Sequence, residues 1–165
     1  MSTYHLAQLN IARMLAPLDS PAMADFVAQL DAINALADAA PGFVWRLQTE
    51  DGDATAVRPY EDDRLIVNMS VWASPEALHA YTYRGGHVEV LRRRREWFAR
   101  VADATVVLWW IPIGHRPTVQ EGVARLETLR ERGPTAEAFT FRTLFAPPDA
   151  SDSSREPLTD ACPAT

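Results

Sequence analysis

The chain contains no lysine; all sixteen of its basic residues are arginine. That absence excludes Schiff-base chemistry, pyridoxal phosphate attachment and a phosphate-loop lysine, each of which needs a primary amine. Cysteine occurs once, as Cys162 in a polar, proline-containing C-terminal stretch. There is thus no disulfide framework, no CxxC site and no buried thiol nucleophile to expect. Neither GxGxxG nor GxSxG is present, which removes the simple dinucleotide-binding and α/β-hydrolase readings. No apolar run approaches the roughly 20 residues of a membrane span, and the first residues lack the charged and apolar regions of a signal peptide. A cytoplasmic protein with no membrane partner is expected. The net charge of −6 argues against nucleic acid as a partner, because affinity for phosphate backbones requires a basic surface.

What is present is 165 residues with 47% hydrophobic content, enough for one domain with a full core. Alternation predicts strands at Tyr4–Ile11, Phe43–Thr49, Leu65–Trp72, Thr105–Ile111 and Ala138–Phe145. Helical periodicity predicts a helix opened by Ser20-Pro21, with Met23, Phe26, Leu30, Ile33 and Ala37 on one stripe, and another over Thr118–Arg132. Glu50–Arg64 reads as a loop. Residues 1–147 form the expected domain and 148–165 the expected disordered tail.

The most informative stretch is Ser74–Phe98. Ser74-Pro75-Glu76 is a helix start, with a capping hydroxyl, proline at the first helical position and an acid in the first turn. Gly85-Gly86 predicts a break, after which His87 stands near a second helix start. There the positive end of the dipole favours the neutral imidazole, competent as base or ligand; the plainer alternative is that His87 only caps the break. In the run that follows, Arg93 is expected to pair with Glu89 and Arg92 with Glu96. Arg94 and Arg95 flank the apolar stripe and call for an anionic partner, unless their heads simply reach water.

The order β-α-β-β-α-β-α-β predicts an α+β sandwich, one antiparallel sheet with helices on one side. One sheet face is then expected to lack a helical cover and to carry Gln8, Asn10, Arg46, Gln48, Asn68, Ser70, Trp72, Thr140 and Arg142. Hydrogen-bonding groups mixed with a large aromatic suit a pocket better than a merely wet face.

The motifs NMSVW (68–72), GHVEVLRRRREWF (86–98), LWWIPIGHRPT (108–118) and AFTF (138–141) resemble a bacterial family, domain of unknown function 3291. It is related to the antibiotic-biosynthesis monooxygenases of the dimeric α/β-barrel superfamily. The resemblance implies a ferredoxin-like subunit whose open sheet face meets the same face of a second copy, a homodimer. It also implies a histidine near the second helix directed into a cavity, as acid/base group or, in haem-handling branches, as iron ligand. His87 is its best match, and Asn68 and Trp72 match the asparagine and tryptophan of cofactor-free oxygenases. The expected function is therefore an enzyme, monooxygenase-like or acid/base, acting on a small conjugated molecule of secondary metabolism without a tightly bound cofactor. His87 is the expected catalytic group, and Arg46, Asn68, Trp72, Tyr83, Arg94, Arg95 and Trp110 the expected substrate-binding set. Two alternatives stay open: haem held by His87, and a non-catalytic or stress-related binding barrel. Metal without haem is not expected, since His79 and His87 would stand about 12 Å apart on a continuous helix.

Overall fold

In a computed structural model of the protein, which describes residues 2–49, 55, 60–84 and 87–150, four strands form one antiparallel sheet. They are β1 (Tyr4–Arg13), β2 (Phe43–Arg46), β3 (Leu65–Trp72) and β4 (Val106–Pro112), in the spatial order β2-β3-β1-β4. The first strand is thus an inner one, opposite β3 from Leu6↔Trp72 to Arg13↔Leu65 and opposite β4 from Tyr4↔Pro112 to Asn10↔Val106. Four α-helices are seen among the described residues: α1 (Ala24–Asp38), α2 (Pro75–Tyr83), α3 (His87–Trp97) and α4 (Val119–Arg132). This is the ferredoxin-like α+β arrangement expected from the alternation of elements.

Residue alternation sorts the sheet into two faces. Ala7, Leu9 and Ile11 of β1, Val67, Met69 and Val71 of β3, and Val107, Trp109 and Ile111 of β4 share one face and pack with Leu126 and Leu129 of α4. Burying each such leucine contributes about 1.5–3 kcal/mol. The other face carries Leu6, Gln8, Asn10, Asn68, Ser70, Trp72, Leu108 and Trp110, and α1, α2 and α3 lie on that side. Leu78 of α2 joins Leu6, Trp72, Leu108 and Phe139 in one cluster. Met23, Phe26 of α1 and Trp97 of α3 join Met14 and Ile66 in another, with ring centroids of Phe26 and Trp97 5.6 Å apart.

The polar face was expected to be free of helices, and this is corrected: Trp72 is 0% exposed, with Tyr81 of α2 stacked on it. The three helices α1–α3 share that face, and α4 is an addition that covers the apolar one. An uncovered tryptophan patch therefore gives no ground for pairing two copies. The last strand, Ala138–Phe145, is also corrected. Phe139 makes one bridge to Leu108, with hydrogen bonds of 2.8 and 2.9 Å, and the chain then turns back at Thr140–Thr143. β2 stops at Arg46, and a register shift between Phe43 and Trp45 puts Phe43 with Trp72 but Trp45 with the α4-side core. In a strand of strict alternation those two aromatics would share one face.

Local signals explain most element ends. Ser74 Oγ accepts from Ala77 N and Thr118 Oγ1 from Glu121 N, and Gly133 ends α4 at a φ of 71°. Ser20 makes no such cap, because Pro21–Met23 forms a short 3-10 turn before α1 begins. α2 ends at Tyr83 and α3 begins at His87, where the break was expected; Gly85, Gly86 and the His87 side chain lie outside the described residues, as do residues 151–165, most of the expected tail, and Gly52 and Pro59 of the Glu50–Arg64 loop.

Candidate functional site

The register of β1 against β3 sets Gln8 opposite Ser70 and Asn10 opposite Asn68 on the polar face. Across that pairing the Gln8 carboxamide donates twice from Nε2, to Asn68 Oδ1 at 2.6 Å and to Ser70 Oγ at 2.9 Å. Trp72 Nε1 donates to the same Ser70 Oγ at 2.8 Å. Gln8 and Ser70 are 7% and 6% exposed, so this network is desolvated and each bond in it is stronger than its counterpart in water. Asn68, by contrast, is exposed and Asn10 half-buried. Because Oδ1 of Asn68 accepts from Gln8, the donor Nδ2 is the end of that exposed amide left for a further partner, and the bond restrains its orientation. Such a donor can bind a carbonyl, enolate or phenolate oxygen.

The wall beside this array is aromatic. Tyr81 stacks on Trp72 with centroids 5.0 Å apart and planes 27° apart, and Phe43 meets Trp72 edge-on at 5.5 Å. Tyr81 Oη donates to the carbonyl of Ile33 at 3.2 Å, tying α2 to α1. Burial pushes the Tyr81 phenol up to about 12, Asp38 adding to the rise and Arg46 opposing it. Tyr81 is therefore neutral at ordinary pH, a donor and not a base. Arg46 lies opposite Ser70 on β2, with its Nε 2.7 Å from Asp38 Oδ1 and Nη2 3.3 Å from Oδ2. Its charge is engaged by the end of α1, so a substrate anion at Arg46 would share the guanidinium with Asp38.

Of the expected site residues, the structure brings Arg46, Asn68 and Trp72 together. Trp72 is fully buried, bonded to Ser70 and stacked by Tyr81, and touches no open space itself. Trp110 shares the face but donates its Nε1 to the carbonyl of Phe145 at 2.8 Å. Tyr83 stands apart, in ring contact with His79 at 4.7 Å and Phe141 at 6.3 Å. Arg94 and Arg95 are exposed on α3. The pairing within the arginine run is corrected: Arg92 bonds Glu89 at 2.9 Å, while Arg93 bonds Glu96 and Asp25 of α1 and lies 4.7 Å from the Trp97 ring centroid. Both in-helix pairs close over three residues, not four. His87 starts α3.

Tyr81 and Asp38 were not expected as site residues from sequence; Gln8 was expected on the polar face, by alternation with Asn10, but not among the substrate-binding set. Elsewhere, an open cleft of about 590 Å³ is lined, among the described residues, by Pro17, Leu18, Asp19, Val27, Asp63 and Arg64, none of them an expected site residue. Among the described residues no group of three or more His, Cys, Asp or Glu side chains could hold a metal ion. No helix among them is long and apolar enough to cross a membrane.

Fold and site together define a ferredoxin-like α+β scaffold with a clamped amide array on its helix-covered sheet face. The chain belongs to the family described as Domain of unknown function (DUF3291), whose model matches residues 5–155. No curated protein matches it by sequence. Among solved structures, it is similar to PA3566 from Pseudomonas aeruginosa, at 18% identity and a TM-score of 0.45 over 68% of this chain and 95% of that one. It is also similar to SnoaB, a cofactor-independent oxygenase from Streptomyces nogalater, at 19% identity and 0.44 over 71% and 98%. A third is Rv0793 from Mycobacterium tuberculosis, at 16% identity and 0.44 over 69% and 99%. At these identities neither activity nor site residues carry over.

Proposed function

We propose that the polar sheet face binds a small, planar, conjugated molecule through a carbonyl or phenol oxygen and promotes its enolisation or deprotonation. The observation that supports this most directly is the Gln8 clamp, which holds Asn68 by its Oδ1 and leaves its amide N–H to a further partner, on the sheet face that carries the Trp72–Tyr81 stack. A donor already oriented before the oxyanion develops needs no reorganisation during the reaction. In this reading Asn68 Nδ2 binds the oxygen on which charge develops, Arg46 adds positive charge near it, and His87 takes the proton. Where dioxygen is the co-substrate, the carbanion from a CH₂ group is oxidised, one oxygen atom ending in a new carbonyl and the other leaving as water.

The test is turnover of hydroxylated anthrones and naphthols, followed by absorbance and by dioxygen uptake. Wild type is expected to convert at least one of them, and Asn68→Ala to lower kcat by about 10²-fold or more with the fold intact. His87→Ala should abolish turnover. Unchanged rates in both variants would overturn the assignment. Homodimerisation rests on the family resemblance alone and has its own measurement: sedimentation at micromolar concentration should give twice 18.4 kDa, and the single mass refutes it.

A further inference from the structure

We propose that the contact between α2 and the turn Thr140–Thr143 is a second binding site, for a planar aromatic molecule that carries a hydroxyl group. It is carried by one atom that has no place in the network above. The Nε2 of His79 is buried and has no hydrogen-bond partner among the described residues. Buried polar atoms are nearly always satisfied, and an exception asks for a reason.

The surroundings of that atom are rings. Tyr83, one turn further along α2, lies 4.7 Å from the His79 ring, and Phe141 meets it edge-on at 5.5 Å. Phe141 sits at the tip of a turn closed by Thr143 N donating to Thr140 O at 3.2 Å. Both flanks of this turn are anchored, by the Phe139–Leu108 pair on one side and by Trp110 Nε1 on the Phe145 carbonyl at 2.8 Å on the other. With its ends so held, the turn admits a ring only by displacing the half-buried Phe141 side chain from its packing on the Trp72–Leu108–Phe139 cluster. A ring entering between Phe141 and His79 gains aromatic contacts on both sides. A hydroxyl on that ring satisfies Nε2 in either tautomer, since it can donate or accept. Tyr81, two residues along the helix and so about 200° around it, stacks on Trp72 instead. The site is thus separate from the Asn68 array and independent of the function proposed for it.

Phenol is the probe and toluene the control, with the full chain, by ¹⁵N NMR of the imidazoles and by thermal unfolding. Phenol should shift the His79 Nε2 resonance and raise Tm with concentration; toluene should leave the imidazole unmoved. His79→Phe keeps the ring without its nitrogens. It should hold Tm without ligand and bind phenol about tenfold more weakly, no better than toluene. Asn68→Ala should leave phenol binding at His79 unchanged, whatever happens to turnover. An imidazole resonance that phenol does not move, or equal phenol affinity in His79→Phe, overturns the proposal. Should His79→Phe not fold, the wild-type titration decides alone.

Discussion

Replacing Gly122 by alanine sets two effects of opposite sign against each other. Within a helix interior alanine is more favourable than glycine by about 1 kcal/mol. At this position, however, an added Cβ would lie 2.5 Å from Leu9 Cδ1, 3.3 Å from Leu9 Cβ and 3.2 Å from Met69 Sδ. Leu9 and Met69 are 0% and 1% exposed, so neither can swing into solvent to make room. Forcing a methyl into a filled core costs about 1–3 kcal/mol. The net expectation is a loss of about 1 kcal/mol, which for a chain of this size lowers Tm by about 2–4 °C. Urea unfolding followed by tryptophan fluorescence measures it. Leu9→Val, which removes the δ carbons, should by itself cost about 1 kcal/mol. In the Gly122→Ala background it should cost clearly less, a coupling of about 1 kcal/mol between neighbours. Were Gly122→Ala to raise stability by the full helical increment, or the two changes to be additive, the close approach of α4 to the sheet would be refuted.

Glu121 accepts from the buried Trp109 Nε1 at 3.1 Å and lies 2.8 Å from His115 Nε2. Burial raises its pKa, but the bonds to His115 and Trp109 outweigh this and hold the carboxyl below its ordinary value. The stability it contributes is present above the unfolded value of about 4.3 and is lost as pH falls through the lower folded value. Glu121→Gln should flatten that acid-side loss in urea unfolding, and Glu121→Ala should cost about 1–3 kcal/mol at neutral pH by orphaning the Trp109 N–H. Tyr81, pushed up to about 12, acts in the opposite sense. Its contribution is present below the unfolded value of about 10 and lost as pH rises through the folded one, so Tyr81→Phe should flatten the alkaline loss. Arg93 joins Asp25, Glu96 and the Trp97 ring. Arg93→Lys keeps the charge but not the planar fork, and its Tm should fall closer to that of Arg93→Ala than to wild type.

The strands that alternate cleanly were legible because one face is apolar throughout: Leu65–Trp72 was placed to the residue, and Tyr4–Ile11 fell short by only two. Alternation could say which side chains share a face, as with Gln8, Asn68, Ser70 and Trp72. It could not say which face the helices choose, since Trp72 suits a pocket wall and a stacking partner for Tyr81 equally. The bulge in β2 was invisible for a related reason, Phe43 and Trp45 being equally at home in either core. Arg94 and Arg95 were set near the buried side by angle alone. A rotation of the helix by a fraction of a turn exposes them, and the Arg93–Trp97 contact fixes that rotation. The clamp by Gln8 depends on a register between strands sixty residues apart, which no local pattern encodes.

Of the four described strands, β1 is made before the others yet is an inner one, and its two neighbours follow much later. On a ribosome adding about 5–20 residues per second, β3 follows β1 by several seconds and β4 by roughly 5–20 seconds. Pairing of β1 with β3 already aligns Gln8 with Asn68 and Ser70, so the clamp can form on a half-built sheet. Through the same interval Ala7, Leu9 and Ile11 have neither β4 beside them nor α4 above them. The nascent chain thus presents an apolar face and an unpaired edge until β4 and then α4 emerge, and that face is closed only once α4 can pack on it.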